Sequence, residues 1–308
     1  METHVEVPRA WEQLAVERLR GTLLVIGAPD VGKTTFARYL YQRLCEAARC
    51  VAYLDGDPGQ STLGPPATIG LSVGVRGDAA FPPKGPSWRS FVGAVSPQGH
   101  MLPLLVGASR LERAARAQGV DTIVYDTSGL VDPGQGGLAL KQAEIDLLRP
   151  SVVFAIQRAG ELESLLVPLR WSSSVRVIDL CPAPLARQRD VAARQAHRAE
   201  GFARYFASPG GGGTWPVLMV DWGRLAVYPA PRFVLHGLLA LEDRDGYTLG
   251  LGIVFDADFR EKRVELYTPL NSLAGVDALR LGDLIVDPRT FRDHRLLAKH
   301  SGGAADSG

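Results

Sequence analysis

Residues 27–34 read GAPDVGKT: a glycine, four residues of any kind, then Gly-Lys-Thr. That spacing suits a loop wrapped around a phosphate chain. Gly27 and Gly32 let the backbone turn tightly and aim N–H groups inward. Lys33 supplies a cation for the outer phosphates, and Thr34 a hydroxyl for Mg²⁺. Ala28, Pro29, Asp30, Val31 and Thr35 complete the candidate nucleotide-binding stretch. Lysine is scarce in this chain, five against 29 arginines, so a lysine at this place is informative.

Three acids follow at the ends of apolar runs. Asp55 and Asp57 sit in DGDPGQS, directly after VAYL. In open α/β sheets ligands bind beyond the carboxyl ends of strands, so these carboxylates should face the phosphates. One would assist magnesium, and the other would take the proton of an attacking hydroxyl. Asp126 closes TIVYD and is followed by Thr-Ser-Gly. An apolar strand ending in Asp commonly orients the metal beside a phosphate loop. No Asn-Lys-x-Asp or Thr-Lys-x-Asp string occurs, which disfavours GTP as the ligand.

A fourth element is rich in arginine. Residues 185–206 read LARQRDVAARQAHRAEGFARYF. Asp190 can cap a helix starting at Val191. Arg194, Arg198, Phe202 and Phe206 then lie four apart on one stripe. With the phenylalanines facing the protein, the arginines are drawn inward too, and Arg189 precedes them. Two readings stay open: arginines over a transferring phosphoryl group, or a surface helix whose arginines pair with Asp190 and Glu200.

The elements that must hold these groups alternate. GTLLVIG is a buried strand, and the segment from Thr34 to Ala48 a helix with Phe36, Leu40 and Leu44 on one face. CVAYLDGD is a second strand. Residues 64–88 are rich in Gly and Pro and read as irregular. RSFVGAV then predicts a strand and residues 101–117 a helix. DTIVYDTSG, SVVFAIQ and SVRVIDL predict strands, with LALKQAEIDLL a helix between the first two. Such alternation predicts an α/β, doubly wound parallel sheet flanked by helices. Residues 8–20 predict a short N-terminal helix. The glycine run at 208–213 breaks the pattern. Beyond it the chain predicts a smaller, mainly antiparallel β domain to about residue 300, with a hairpin at Asp245-Gly246. Residues 301–308 read as a disordered tail.

Net charge is only +1, so any polyanion site must be a local basic patch. Cys45, Cys50 and Cys181 have no metal-ligand spacing and read as buried structural residues. No apolar run approaches the roughly 18 residues of a membrane span, and the first residues are acidic where a signal peptide is basic. The expected compartment is the cytoplasm, with no membrane partner.

These strings, in this order, resemble the polynucleotide 5′-hydroxyl kinases. The resemblance rests on PDVGKTT, on Asp-x-Asp-Pro-Gly-Gln at Asp55–Gln60, and on Val-Gly-x-x-Ser-Pro-x-Gly-His at Val92–His100. It rests also on DTSG after a strand, and on the arginines at 189, 194 and 198 before Tyr205-Phe206. It covers residues 21–206 well. The resemblance implies a P-loop fold and transfer of the ATP γ-phosphate, with Mg²⁺, to the 5′-hydroxyl end of RNA or DNA. By match, Asp57 would be the base, with Asp55 assisting magnesium. Thr127 would belong to a clasp beside Gly129, and Arg189, Arg194 and Arg198 to a lid. Gln60 falls within the matched acidic string. Many relatives carry Trp where this chain has Leu130. Trp88 and Trp171 are candidate base-stacking rings or ordinary packing residues. Two other readings remain: a non-catalytic ATP-holding scaffold of an RNA-processing complex, and a kinase of a small hydroxyl metabolite.

Overall fold

The computed structural model describes residues 7–47, 50–182, 190–207 and 217–296. The glycine run at 208–213, the tail at 301–308 and Arg189 lie outside the described residues.

A seven-stranded sheet carries the phosphate loop. Its strands are β1 (Gly21–Gly27), β2 (Val51–Gly56), β3 (Thr68–Val73), β4 (Ser87–Phe91), β5 (Thr122–Thr127), β6 (Val152–Ile156) and β7 (Arg176–Leu180). They lie in the order β4-β3-β2-β5-β1-β6-β7. The five from β2 to β7 in that order are parallel, and β3 and β4 are antiparallel additions at one edge. The sequence alternation that makes this sheet is visible in β1. Leu24 and Ile26 face one core, and Leu23 and Val25 the other.

The helices are α1 (Arg9–Glu12), α2 (Lys33–Glu46), α3 (Met101–Ala117), α4 (Gly137–Leu148), α5 (Glu163–Arg170) and α6 (Val191–Phe206). Leu104, Leu111, Leu140 and Leu166 of α3, α4 and α5 fill the first core. Phe36, Leu40 and Leu44 of α2 fill the second, the stripe expected from their spacing.

Several expectations need correction. The predicted helix over 8–20 is only one turn, α1, followed by a short 3₁₀ turn at Val16–Arg18. A straight helix would set Val16 about 140° round from Trp11. Breaking it lets Trp11, Val16 and Leu19 all bury, with Trp11 edge-on to Phe36 at 5.1 Å. The stretch 64–88, expected to be irregular, contains β3 and the start of β4. β3 is buried on both faces, so no alternation of period two marks it. The strand predicted over 89–95 begins earlier and ends at Phe91, before Gly93 turns the chain at φ +83°. Helix α5 has no counterpart in the sequence reading; Pro168 within it obscures the spacing of Leu162, Leu165 and Leu166.

The second sheet comprises β8 (Val217–Asp221), β9 (Ala226–Tyr228), β10 (Gly237–Glu242), β11 (Thr248–Asp258), β12 (Arg263–Tyr267), β13 (Ala278–Val286) and β14 (Asp293–Arg295). Its order is β14-β13-β10-β11-β12-β8, antiparallel throughout, with β9 beside β13 in parallel. The Asp245-Gly246 hairpin joins β10 to β11, with Gly246 at φ +77°, and Arg110 of α3 donates to the Gly246 carbonyl at 2.7 Å.

The two sheets meet at the Val92–His100 string. Asp283 N–H donates to the Gly93 carbonyl at 2.8 Å. A Cβ on Gly282 would lie 2.9 Å from that same oxygen, so backbone meets backbone with no room for a side chain. His100 pairs with Asp283 at 3.1 Å across the same seam. A third core joins Phe91, Phe202 and Phe206 to Leu238, Leu251, Ile253 and Val286 of the second sheet. Among the described residues no helix is long and apolar enough to cross a membrane. Cys45 is buried as expected, whereas Cys181 is exposed just past the end of β7.

Candidate nucleotide and phosphoryl-transfer site

β1 ends at Gly27, whose absent side chain matters: a Cβ there would lie 2.4 Å from the Ile156 carbonyl. The chain then turns through Asp30 (φ 57°) and Gly32 (φ 94°) before α2 starts at Lys33. The first N–H groups of α2 have no carbonyl partner in their own helix and face the loop, which makes an anion site of loop and helix together. Lys33 lies folded into this loop, with Nζ donating to the Ala28 carbonyl at 2.7 Å. Burial holds its pKa below the ordinary lysine value, opposed by Asp126, Asp57 and Asp30 nearby.

The pairing of β2 with β5 sets Asp55 directly opposite Asp126. Both are buried. Burial, then the neighbouring Asp55 charge, pushes the Asp126 carboxyl up to about 7, with the Thr34 hydroxyl and Lys33 pulling the other way. Tyr53 donates to Asp126 Oδ2 at 3.1 Å. Oδ1 of Asp126 is buried with no hydrogen-bond partner among the described residues.

Asp55 is engaged differently. Its Oδ2 accepts from Thr62 N–H at 2.5 Å, Thr62 Oγ1 at 3.0 Å, Leu63 N–H at 3.1 Å and Ser61 Oγ at 3.2 Å. That oxygen ties down the loop after β2 and has little capacity left for a metal. Burial raises the Asp55 pKa, and the Thr62 and Leu63 N–H groups counter it.

Asp57 stands in the same loop. Its Oδ1 accepts from Gly59 N–H at 2.9 Å and Gln60 N–H at 3.1 Å, which fixes the carboxylate's orientation. Among the described residues its Oδ2 accepts no hydrogen bond. Gln60 donates through Nε2 to the Gly59 carbonyl.

On the other side of the loop, Thr127 donates to the Val25 carbonyl at 2.8 Å, so its hydroxyl links β5 to β1. Gly129 lies against the loop itself: a Cβ there would meet Pro29 Cα and N, both at 3.0 Å. Gly129→Ala should therefore displace the loop. Overpacking of this kind costs about 1–3 kcal/mol. A lower melting temperature and a several-fold weaker nucleotide affinity are expected by calorimetry, and an unchanged protein would show that the loop yields freely there.

The arginine helix forms as its pattern predicts. Asp190 accepts from Ala193 N–H at 2.6 Å as N-cap, and Phe202 and Phe206 are fully buried. Arg194 reaches the phosphate loop and pairs with Asp30 Oδ2 at 2.7 Å. Arg198 does not reach it. Its Nε pairs at 2.9 Å with Asp293 on the second sheet. Among the described residues neither Arg194 nor Arg198 pairs with Asp190 or Glu200.

Three groups escaped the sequence reading. Arg158, after β6, donates to the Asp30 carbonyl at 2.7 Å, and no local motif marks it. Lys141 and Glu144 form a completely buried pair at 3.0 Å, completed by the Tyr125 hydroxyl on Glu144 at 2.9 Å. Lys141 also donates to Ser128 Oγ at 3.3 Å, which ties α4 to the Asp126–Gly129 segment. Lysine scarcity was the available signal. Of the tryptophans, Trp88 packs against the first core, and Trp171 is 85% exposed at the end of α5.

The sequence model of the family described as mRNA cleavage and polyadenylation factor CLP1 P-loop matches residues 27–208. The chain belongs to this family. Among CLP1 P-loop relatives, a polyribonucleotide 5′-hydroxyl-kinase of Methanocaldococcus jannaschii is 26% identical over 86% of this chain and 87% of its own length. One of Pyrococcus furiosus is 24% identical over 86% and 87%. A human polynucleotide 5′-hydroxyl-kinase shares a shorter stretch, 49% identical over 49 residues, or 16% of this chain and 7% of that one. The fold of this CLP1 P-loop protein is similar to that of Clp1p in a solved Clp1p–Pcf11p complex. The TM-score there is 0.63 at 13% identity, covering 86% of this chain and 74% of that one.

Proposed function

We propose that this protein is a polynucleotide 5′-hydroxyl kinase, transferring the γ-phosphoryl group of ATP to the 5′-hydroxyl end of RNA or DNA. The observation that carries this reading is one constellation. A phosphate loop, a fixed carboxylate at Asp57 and an unsatisfied buried oxygen on Asp126 all lie at the carboxyl ends of adjacent strands. The names of relatives that align over most of the chain support it.

In this reading the loop from Gly27 to Thr35 holds the triphosphate, with Lys33 leaving the Ala28 carbonyl for the outer phosphates. Asp57 Oδ2 accepts the proton of the 5′-hydroxyl. The freed oxygen attacks the γ-phosphorus, the bond to the β–γ bridging oxygen breaks, and ADP leaves. Arg194, already beside the loop, neutralises charge on the transferring group. Arg198 holds the lid helix in place through Asp293.

The residues present suit Mg²⁺: the donors are oxygens, as a hard cation requires, and Asp126 Oδ1 accepts no hydrogen bond within the geometric limits among the described residues. Thr34 and Asp126 would hold the ion, Asp126 directly or through water. When bound, it screens the negative charge between the β- and γ-phosphates. A proton on Asp126 competes with it. The folded protein keeps that proton up to a pH of about 7, whereas an unfolded carboxylate loses it near 4. Without metal, the stability contributed by this group therefore falls as pH rises through that window. Mg²⁺-dependent ATP affinity should rise with pH by up to about tenfold per unit below 7 and level off above it. Titration calorimetry from pH 5.5 to 8 reads this, and a flat profile would remove Asp126 from the metal site.

The function itself is tested with γ-labelled ATP and oligonucleotides ending in a 5′-hydroxyl or a 5′-phosphate. Label on the 5′-hydroxyl ends alone is the expected outcome. ATP binding without label on any end would return the protein to the scaffold or small-metabolite readings.

A further inference from the structure

One face of α6 is not used by anything above. Phe202 and Phe206 turn into the core, and Arg194 turns to the loop. His197, Gly201, Arg204 and Tyr205 fall on a different stripe and form one wall of an open cleft of about 340 Å³. The facing wall is the chain from Gly59 to Pro66, immediately after Asp57. Arg38 of α2 and Arg89 of β4 complete the lining. None of the described lining residues is acidic. In a chain of net charge +1 this is a concentrated basic site.

Two of its arginines carry an unmet need. Nε of Arg38 and Nε of Arg89 are both buried with no hydrogen-bond partner among the described residues. A buried cationic donor without an acceptor is costly, so the site is built for an acceptor that arrives from outside. The Arg38 guanidinium rests on the Phe81 ring, 4.6 Å from its centroid, which fixes its plane and leaves its edge for the ligand. Planar guanidinium forks select ligands with paired oxygens, phosphates foremost. The position narrows the choice. The cleft begins at Gly59, whose N–H is held by Asp57 Oδ1, so it opens directly beside the proposed base.

We propose that this cleft binds the polynucleotide backbone, with Arg38 and Arg89 gripping the phosphodiester that follows the accepting nucleotide and Arg204 extending the contact outward. The inference rests on the kinase reading, because Asp57 sets where the 5′ end lies. It makes a nucleoside with a 3′-phosphate a far better acceptor than the bare nucleoside.

The test compares the full chain with R38Q, R89Q, the double variant and R204E. The exposed position of Arg204 leaves folding of that last variant untouched. Acceptor KM is measured on a short 5′-hydroxyl RNA, alongside kcat, KM for ATP, and binding of the same fluorescent RNA by anisotropy over a range of salt. Each arginine lost should raise acceptor KM about tenfold, as expected for a charged hydrogen bond. It should also lower the salt slope by about 0.7. KM for ATP should stay within twofold. Unchanged RNA KM and salt slope in both R204E and the folded double variant would overturn the cleft while leaving the kinase standing. If the unaltered protein labels no end, the kinase reading fails instead. Anisotropy then still decides the cleft, by weaker RNA binding in R204E or by no change.

Discussion

Asp57→Asn should lower the rate of phosphoryl transfer by about 10² to 10⁴ while leaving ATP affinity within a few-fold. The substitution is well matched to the question. The amide oxygen of Asn can still accept from the Gly59 and Gln60 N–H groups, so the turn after β2 keeps its form. Only the proton acceptor and one negative charge are lost. Single-turnover transfer and calorimetric ATP binding separate the two. If ATP binding falls as far as transfer does, Asp57 belongs to phosphate or metal binding and the base must be sought elsewhere.

Arg194→Ala should cost about 10³ or more in kcat, with KM for both substrates much less affected. Arg194 is the lid arginine already in contact with the phosphate loop, through Asp30. That contact also raises a rival account, in which the arginine only braces the loop. Asp30→Asn distinguishes them, since it removes the brace and leaves the guanidinium. A small effect of Asp30→Asn beside a large one of Arg194→Ala places the guanidinium in the transition state. Equal losses, with no further loss in the double variant, would make the ion pair itself the functional unit.

Much of this site is local in the chain, and so it was legible there. The phosphate loop, the strands that end in Asp55 and Asp126, and the N-cap at Asp190 each depend on residues within a few positions of one another. What escaped the sequence depends on partners far away. Arg198 meets Asp293 across 95 positions, so its spacing within α6 suggested the phosphates when its partner is the second sheet. Asp55 reads as a metal ligand by position, yet Ser61–Leu63 fold back and occupy one of its oxygens. Lys141 carries no local mark within its helix, and it is the fold that buries it with Glu144 and Tyr125. β3 leaves no mark in the sequence because burial on both faces erases the alternation that reveals a strand.

The core shared by Phe91, Phe202, Phe206 and the second sheet has a consequence for how the chain can be cut. A fragment ending near residue 206 contains every group assigned to phosphoryl transfer and looks like a self-sufficient enzyme on paper. It would nonetheless strip the cover from two large aromatic side chains and leave Arg198 without its carboxylate. The arginine helix would lose the surface that sets its angle over the loop. The apparently accessory β sheet is thus the footing of the lid, and the minimal functional unit extends at least through Asp293.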